Sequence, residues 1–257
     1  YMPAIIYTTH AGPELGNAFA DVISGRYSPA GRLAQTWYKS EYELAPIECY
    51  NIIENDMTYL YYRGKPLYPF GYGLSYARFE YSDFDVKENG DVISVSLDVT
   101  NVSETDSDEV VQIYFRMENP SVKRPLRQLV AFAREHIKGG RKRHFEFDIK
   151  KSELRFYDVS RERFAVEQGR YTFMAGASSE DIRLTKTIDV SGEIIPPREL
   201  SKGIKAKNYD GKYGTKMKYS KKLEQHYMLG GGLIYNNCVL GDADSIETVS
   251  YTHLTLP

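Results

Sequence analysis

From Arg78 onward the chain alternates apolar and polar side chains with a period of two. Ile93, Val95, Leu97 and Val99 are separated by Ser94, Ser96 and Asp98, and Val111, Ile113, Phe115 and Met117 by Gln112, Tyr114 and Arg116. Phe145, Phe147 and Ile149 continue the rule, and Tyr171 and Phe173 follow Gly169. This period puts one set of side chains on one face of a strand. Polar turns such as Asn101–Asp108 and Lys138-Gly-Gly-Arg141 separate the runs. The pattern predicts seven strands, near 78–87, 91–101, 108–118, 128–137, 142–149, 162–167 and 169–178. Short alternating strands at such spacing predict a two-sheet sandwich.

Before Arg78 the pattern differs. Residues 2–9 form a short, apolar, β-branched run that predicts a buried strand, followed by a turn at His10-Ala-Gly12. Leu15, Ala18, Phe19 and Val22 then recur at i, i+3, i+4 and i+7, which predicts a helix over 13–24. Pro13 suits the first helical position, Glu14 complements the dipole, and Gly25 is a natural stop. Strand, glycine turn and helix in this order predict the last unit of an α/β sheet.

Two breaker-rich stretches complete this part, Ser28-Pro-Ala-Gly-Arg-Leu33 and Lys65-Pro-Leu-Tyr-Pro-Phe-Gly-Tyr-Gly-Leu-Ser-Tyr76. Proline fixes φ, glycine permits positive φ, and aromatics bury large areas at low entropic cost. The second stretch therefore predicts irregular chain packed against something, placed where the helical part gives way to strands.

Taken in order, Gly12-Pro-Glu-Leu-Gly-Asn-Ala-Phe-Ala-Asp21, Ser28–Leu33, Tyr59-Leu-Tyr-Tyr-Arg-Gly-Lys65 and the aromatic loop resemble the end of the α/β sandwich domain of glycoside hydrolase family 3. Asp108-Glu-Val-Val-Gln-Ile-Tyr114 and Leu154-Arg-Phe-Tyr-Asp158 resemble its fibronectin type III-like domain. The resemblance implies a mainly β chain: a fibronectin type III-like β-sandwich over 77–190, preceded over 1–76 by the C-terminal remnant of an α/β sandwich domain. It implies a retaining glycosidase of β-glucosidase or β-xylosidase type, acting on terminal residues of an oligosaccharide or glycoside through a nucleophile and an acid/base. Both catalytic carboxylates are expected upstream of Tyr1, so this portion alone is expected to be inactive. A free-standing carbohydrate-binding or adhesion sandwich is the rival reading, for which residues 78–190 would suffice.

Candidate chemistry within the chain is sparse. Glu14 and His10, beside a glycine turn where α/β sites commonly lie, are candidates for positions next to a substrate. Against that stand a helix N-terminal charge and a structural histidine. Asp21, Arg32 and Trp37 read as packing or ion-pair residues. Tyr68, Phe70, Tyr72 and Tyr76 could border a sugar cleft, but interdomain packing is the favoured role. Cys49 and Cys238 are the only cysteines, far apart and without zinc spacing, and read more readily as two buried free thiols than as a bridge. No metal or cofactor is expected.

Composition adds little to this. There are 22 Tyr and 1 Trp among 257 residues, and the net charge of −2 gives no overall pull towards nucleic acid or membranes. No apolar run approaches the ~20 residues of a membrane span. Lysines between Lys202 and Lys222, interleaved with Tyr209, Tyr213 and Tyr219, resemble a single-strand nucleic-acid surface, although solvated strands or linkers are the favoured reading. Gly230-Gly-Gly232 lacks a phosphate-loop lysine, and Asn101-Val-Ser103 fits the N-glycosylation pattern. Residues 191–202, with tandem prolines, read as a linker. Residues 203–249 read as the truncated start of a possible carbohydrate-binding module, poorly ordered or only partly folded. Ser250–Pro257 resembles a translated sequencing-adapter tail and is expected to be non-native.

Overall fold

The computed structural model describes residues 6, 8, 12–205, 207–214, 216–220, 225–229 and 231–239. The predicted strand over 2–9 falls almost wholly outside them, as does the tail from residue 240.

Helix α1 spans Leu15–Ile23. It ends where expected: Gly25 adopts φ +76° and its N–H donates to Val22 O at 3.1 Å. The apolar stripe is present, but none of it is buried, and Leu15 and Phe19 are 37% and 41% exposed. A second short helix, α2, covers Thr58–Tyr61. Most of the chain from 26 to 77 is irregular.

The sandwich begins at β1 (Phe79–Asn89) and continues through β2 (Val92–Asn101), β3 (Ser107–Met117), β4 (Gln128–Ile137) and β5 (Lys142–Lys150). After a ribbon of β6 (Phe156–Asp158) and β7 (Arg163–Ala165) it closes with β8 (Gly169–Gly176) and β9 (Ile182–Val190). One sheet has the order β1-β2-β5, the other β4-β3-β8-β9, and every pairing within them is antiparallel. The alternation that predicts these strands is the alternation of burial. Ile93, Val95, Leu97 and Val99 are at most 1% exposed and pack with Val111, Ile113, Phe173 and Leu154 in one core. Near one edge of the core the Tyr171 hydroxyl donates to Glu167 O at 2.8 Å, a tyrosine corner of the immunoglobulin-like kind.

Seven strands make the sandwich, but not the seven predicted. Residues 163–165 pair only with β6, outside both sheets, and β9 takes the vacant place. Its inward series Ile182, Leu184, Lys186, Ile188, Val190 is interrupted by a lysine, which hides the period. That lysine binds Asp85 on β1, where the edges of the two sheets meet. Asn101 is a second correction. It is fully buried, and its side-chain amide donates to Thr105 O (2.8 Å) and Ile137 O (2.9 Å), so it is closed to glycosylation.

Past the sandwich, β10 (Arg198–Glu199) pairs in parallel with β15 (Cys238–Val239), and β11 (Gly211–Tyr213) with β14 (Gly232–Ile234). A further ribbon joins β12 (Lys216–Ser220) to β13 (Gln225–Leu229). A buried ion pair, Arg198–Asp210 at 2.6 Å, ties the start of this region to its middle, and Asp210 also accepts from Asn236 N at 2.6 Å. Lys212 reaches back to Glu54 at 3.0 Å. Residues 198–239 therefore carry pairing of their own.

Several carboxylates sit below their ordinary range, among them Asp108 on β3 and Asp158 on the β6–β7 ribbon. Burial alone raises Asp108, but hydrogen bonds from His136 and Arg134 outweigh it; burial likewise raises Asp158, and Ser160 and Arg161 outweigh it. A carboxylate lowered by folding adds stability above its unfolded value and loses it as pH falls through its folded value. The urea midpoint is expected to fall as pH drops below about 4. Asp158→Asn should lower the midpoint at pH 6 and narrow the difference between pH 6 and pH 3. An unchanged difference would contradict this assignment.

Candidate functional site

Of the residues that the sequence singles out, Arg32 and the aromatic loop lie at the seam between the irregular chain up to residue 77 and the sandwich. Loop 65–76 is held on one side by the segment at 33–37. Gly71 N donates to Leu33 O (2.7 Å), Leu33 N to Tyr72 O (2.9 Å), Leu67 N to Trp37 O (2.7 Å) and Trp37 N to Tyr68 O (2.9 Å). On its other side the loop lies over β3. Gln112 donates to Gly71 O at 3.1 Å and to Ala177 O at 2.6 Å, and the Tyr114 hydroxyl donates back to Gln112 Oε1. Ser179 N donates to Phe70 O at 2.9 Å. The outer face of β3 is thus dry at its middle, where Gln112 is 3% exposed and Tyr114 fully buried, while Arg116 beyond them is exposed.

Glycine is required where this contact is tightest. Gly71 has φ +80°, and a Cβ there would lie 2.0 Å from Gln112 Oε1. A Cβ on Gly73 would lie 2.1 Å from Gly31 O. Nearby, the hydroxyls of Ser28, Ser75 and Ser107 form a closed ring at 2.8–3.1 Å.

Arg32 and Glu109 form the charged centre of the seam, 2.9 Å apart with side chains 10% and 2% exposed. Glu109 Oε1 accepts from the Tyr81 hydroxyl at 2.7 Å, and the Arg183 guanidinium lies 4.6 Å from the Tyr81 ring centre. Burial raises the Glu109 carboxyl, against the lowering pull of Tyr81 and the two arginines. Burial, and then Glu109 itself, raise the Tyr81 phenol well above its usual range. Arg32 is read in the sequence as an ion-pair residue. Glu109 is not singled out there, yet it carries a signal: it has the same parity as the apolar Val111, Ile113 and Phe115. A carboxylate in an inward phase demands a partner.

The aromatics divide between two tasks. Phe70 stacks on Tyr59 (4.1 Å, 13°), which meets Tyr114 edge-on at 6.2 Å, so this series crosses the seam. Tyr68 and Tyr72 pack against each other (5.1 Å), and Tyr68 against Trp37 (6.0 Å), on the near side. The Tyr76 hydroxyl donates to Val22 O at 2.8 Å and anchors the end of α1.

Glu14 sits apart from all of these, exposed at the start of α1. It accepts from Asn17 Nδ2 at 2.5 Å and caps no backbone N–H. His10 lies outside the described residues.

A cleft of about 620 Å³ opens along the seam, lined by Arg32, Tyr72, Arg78, Glu109, Asp181 and Arg183 among others. Both oxygens of Glu109 are engaged, and Asp181 is paired with Arg183 at 2.9 Å. No two carboxylates in it stand free to act as a nucleophile and acid/base pair. Among the described residues no group of three or more His, Cys, Asp and Glu could hold a metal, and no helix is long and apolar enough to cross a membrane. Cys49 and Cys238 are free, but against the expectation of buried thiols Cys49 is exposed and Cys238 half-buried. Of the lysines in the basic stretch, Lys205 and Lys207 pair with Glu162 at 3.1 Å each, Lys202 with Glu199 and Lys212 with Glu54. Those charges are already engaged within the chain.

Comparison with known proteins places this seam in context. Residues 1–76 match the glycosyl hydrolase family 3 C-terminal domain, and residues 109–179 match the fibronectin type III-like domain. The chain belongs to glycoside hydrolase family 3. It is 34% identical over 199 residues to thermostable beta-glucosidase B of Acetivibrio thermocellus, covering 71% of this chain and 26% of that protein. It is 35% identical over 186 residues to a xylan 1,4-beta-xylosidase of Xylanibacter ruminicola, covering 71% of this chain and 21% of that one. Among solved structures, beta-glucosidase 3B of Thermotoga neapolitana, in complex with α-D-glucose, superposes with a TM-score of 0.66 at 30% identity, over 73% of this chain and 28% of that chain. This family 3 chain spans about a quarter of the length of the curated relatives it matches.

Two substitutions test the seam. Glu109→Gln leaves the Arg32 charge buried without a counter-ion and is expected to cost about 3–5 kcal/mol in urea unfolding, whereas the double change Arg32→Met with Glu109→Leu should cost less than the single one. Gly71→Ala is expected to cost at least about 1–3 kcal/mol from the backbone alone. Wild-type stability in that variant would mean that the loop does not clamp β3.

Proposed function

We propose that this chain is the non-catalytic C-terminal portion of a retaining glycosidase that releases terminal non-reducing β-D-glucosyl or xylosyl residues. The observation that carries the reading is the seam. The family's α/β-domain terminus and its sandwich are joined by a buried ion pair, a serine ring and a glycine-dependent loop, as a free-standing binding module would not require. The relatives named as β-glucosidase and β-xylosidase extend over about four to five times the matched length. The nucleophile and acid/base of a double displacement belong to that remaining length.

In this reading residues 1–76 complete an α/β domain and 77–190 form the sandwich that braces it. Residues 191–202 link to a further module that starts at 203, and 250–257 are an appended tail. Tyr68, Phe70, Tyr72 and Tyr76 serve packing at the seam, and Glu14 and His10 remain the candidates for positions next to a substrate.

The purified chain is expected to show no turnover of aryl β-glucosides or β-xylosides above background. A chimera in which residues 1–190 replace the matched region of the Thermotoga neapolitana enzyme is expected to fold and hydrolyse such substrates. Turnover by the chain alone, or a folded chimera without activity, would overturn the assignment.

A further inference from the structure

The β6–β7 ribbon lies outside both sheets, and it presents aromatic surface that the seam does not use. Tyr157 and Phe164 are direct cross-strand partners, meet edge-to-face at 5.3 Å, and are 49% and 58% exposed. Cross-strand aromatic pairs stabilise a ribbon whether exposed or not. Here, however, Phe164 also forms a wall of a groove of about 520 Å³, within the size range of small-ligand sites.

The rest of that groove is preformed, with Ala165 and Val166 set beside Lys151, Ser191 and Glu193. Its far wall is the segment Ser191–Glu193, fastened to the chain beside Phe164 by Glu193 N donating to Val166 O (2.8 Å) and Gln168 N to Glu193 O (2.9 Å). A Cβ on Gly192 would lie 2.4 Å from Val166 O, so the two segments approach as closely as a glycine allows. Lys151 Nζ donates to Ser191 Oγ at 2.7 Å and fixes one rim. The Glu193 carboxylate is oriented by Arg161 and Arg163 yet remains 39% exposed. The Arg155 guanidinium lies over the Phe164 ring, 5.1 Å from its centre, and still leaves Phe164 58% exposed.

A flat aromatic face beside fixed donors and a carboxylate acceptor matches one ligand chemistry well. A pyranose ring has an apolar C–H face that stacks on an aromatic ring, and equatorial hydroxyls that bond outward to arginine, serine and carboxylate. An extended β-1,4-linked chain offers such faces repeatedly, so that one of its rings can stack on Phe164 while its neighbours run along the groove.

We propose that the groove between the β6–β7 ribbon and Ser191–Glu193 binds an extended β-1,4-linked pyranose chain, with Phe164 as the stacking platform. It is a holding site for polymer, separate from any hydrolytic centre, and its test does not depend on the parent's activity. In affinity electrophoresis through soluble xylan or carboxymethyl-free β-glucan, the chain should be retarded. Phe164→Ala should weaken the interaction roughly tenfold, Tyr157→Ala less, and Tyr42→Ala, a 91% exposed tyrosine elsewhere, not at all. With xylohexaose or cellohexaose added to the wild-type chain, hydrogen exchange should slow in 155–165 and 191–193, a readout that stands even if a variant fails to fold. Absence of retardation, retardation equal in a folded Phe164→Ala protein, or unchanged exchange in those segments would overturn the proposal. Equal retardation by dextran would overturn the assignment to β-linked chains.

Discussion

The rest of this molecule depends on the middle of β3, Val111–Phe115, being buried on both faces. In an antiparallel sandwich one face of each sheet normally packs on the core and the other meets water. Here the inner face of β3 carries Val111, Ile113 and Phe115 into the core, while the outer face carries Gln112 and Tyr114 under loop 65–76. A dry outer face is tolerable only if every polar group on it is satisfied. Gln112 bonds to Gly71 and Ala177 at once, and so ties the loop, β3 and the end of β8 into one unit.

The Arg32–Glu109 pair gives this contact its register rather than much net stability. Withdrawing two charges from water costs about what their attraction returns, so the pair's energetic weight lies in the penalty for separating them. Displacing the loop from the sandwich would strand a guanidinium, a carboxylate and the Tyr81 hydroxyl together. That makes the junction close to all-or-none, as a brace between two parts of an enzyme needs to be.

The chain before residue 77 leans on the sandwich. Its buried apolar side chains are few (Ala30, Tyr61 and Ala77 among the described residues), and the apolar stripe of α1 is open. Too little apolar area is enclosed there to offset the entropy of ordering some sixty residues. Hydrogen bonds to 33–37, the Tyr59–Phe70–Tyr114 stack and the serine ring supply what a separate core would otherwise provide. The sandwich is thus a scaffold in two senses, bracing the α/β remnant on one side and, in our proposal, offering a glycan-stacking ribbon away from the seam.

How much of this was legible in the sequence varies with the range of the interaction involved. The sandwich strands follow from local alternation, because a period of two and a period of burial are the same fact for a sheet with one core-facing side. β9 escaped that logic because Lys186 occupies an inward position, tolerable only through Asp85, about a hundred residues away in the chain. The end of α1 and the need for glycine in loop 65–76 are local backbone matters, and the motif residues marked the junction and the family by themselves. By contrast, the pairing of Arg32 with Glu109, the stacking of Phe70 on Tyr59, the burial of Asn101 and the exposure of Tyr157 beside Phe164 join residues by proximity that no sequence period encodes. Sequence alone determined which residues must be buried and where the backbone must turn, since those are properties of single side chains and short segments. Only the tertiary structure decided which buried charge met which, and which aromatics were left facing water, because partner choice is set by chain packing across distances that local propensity does not reach.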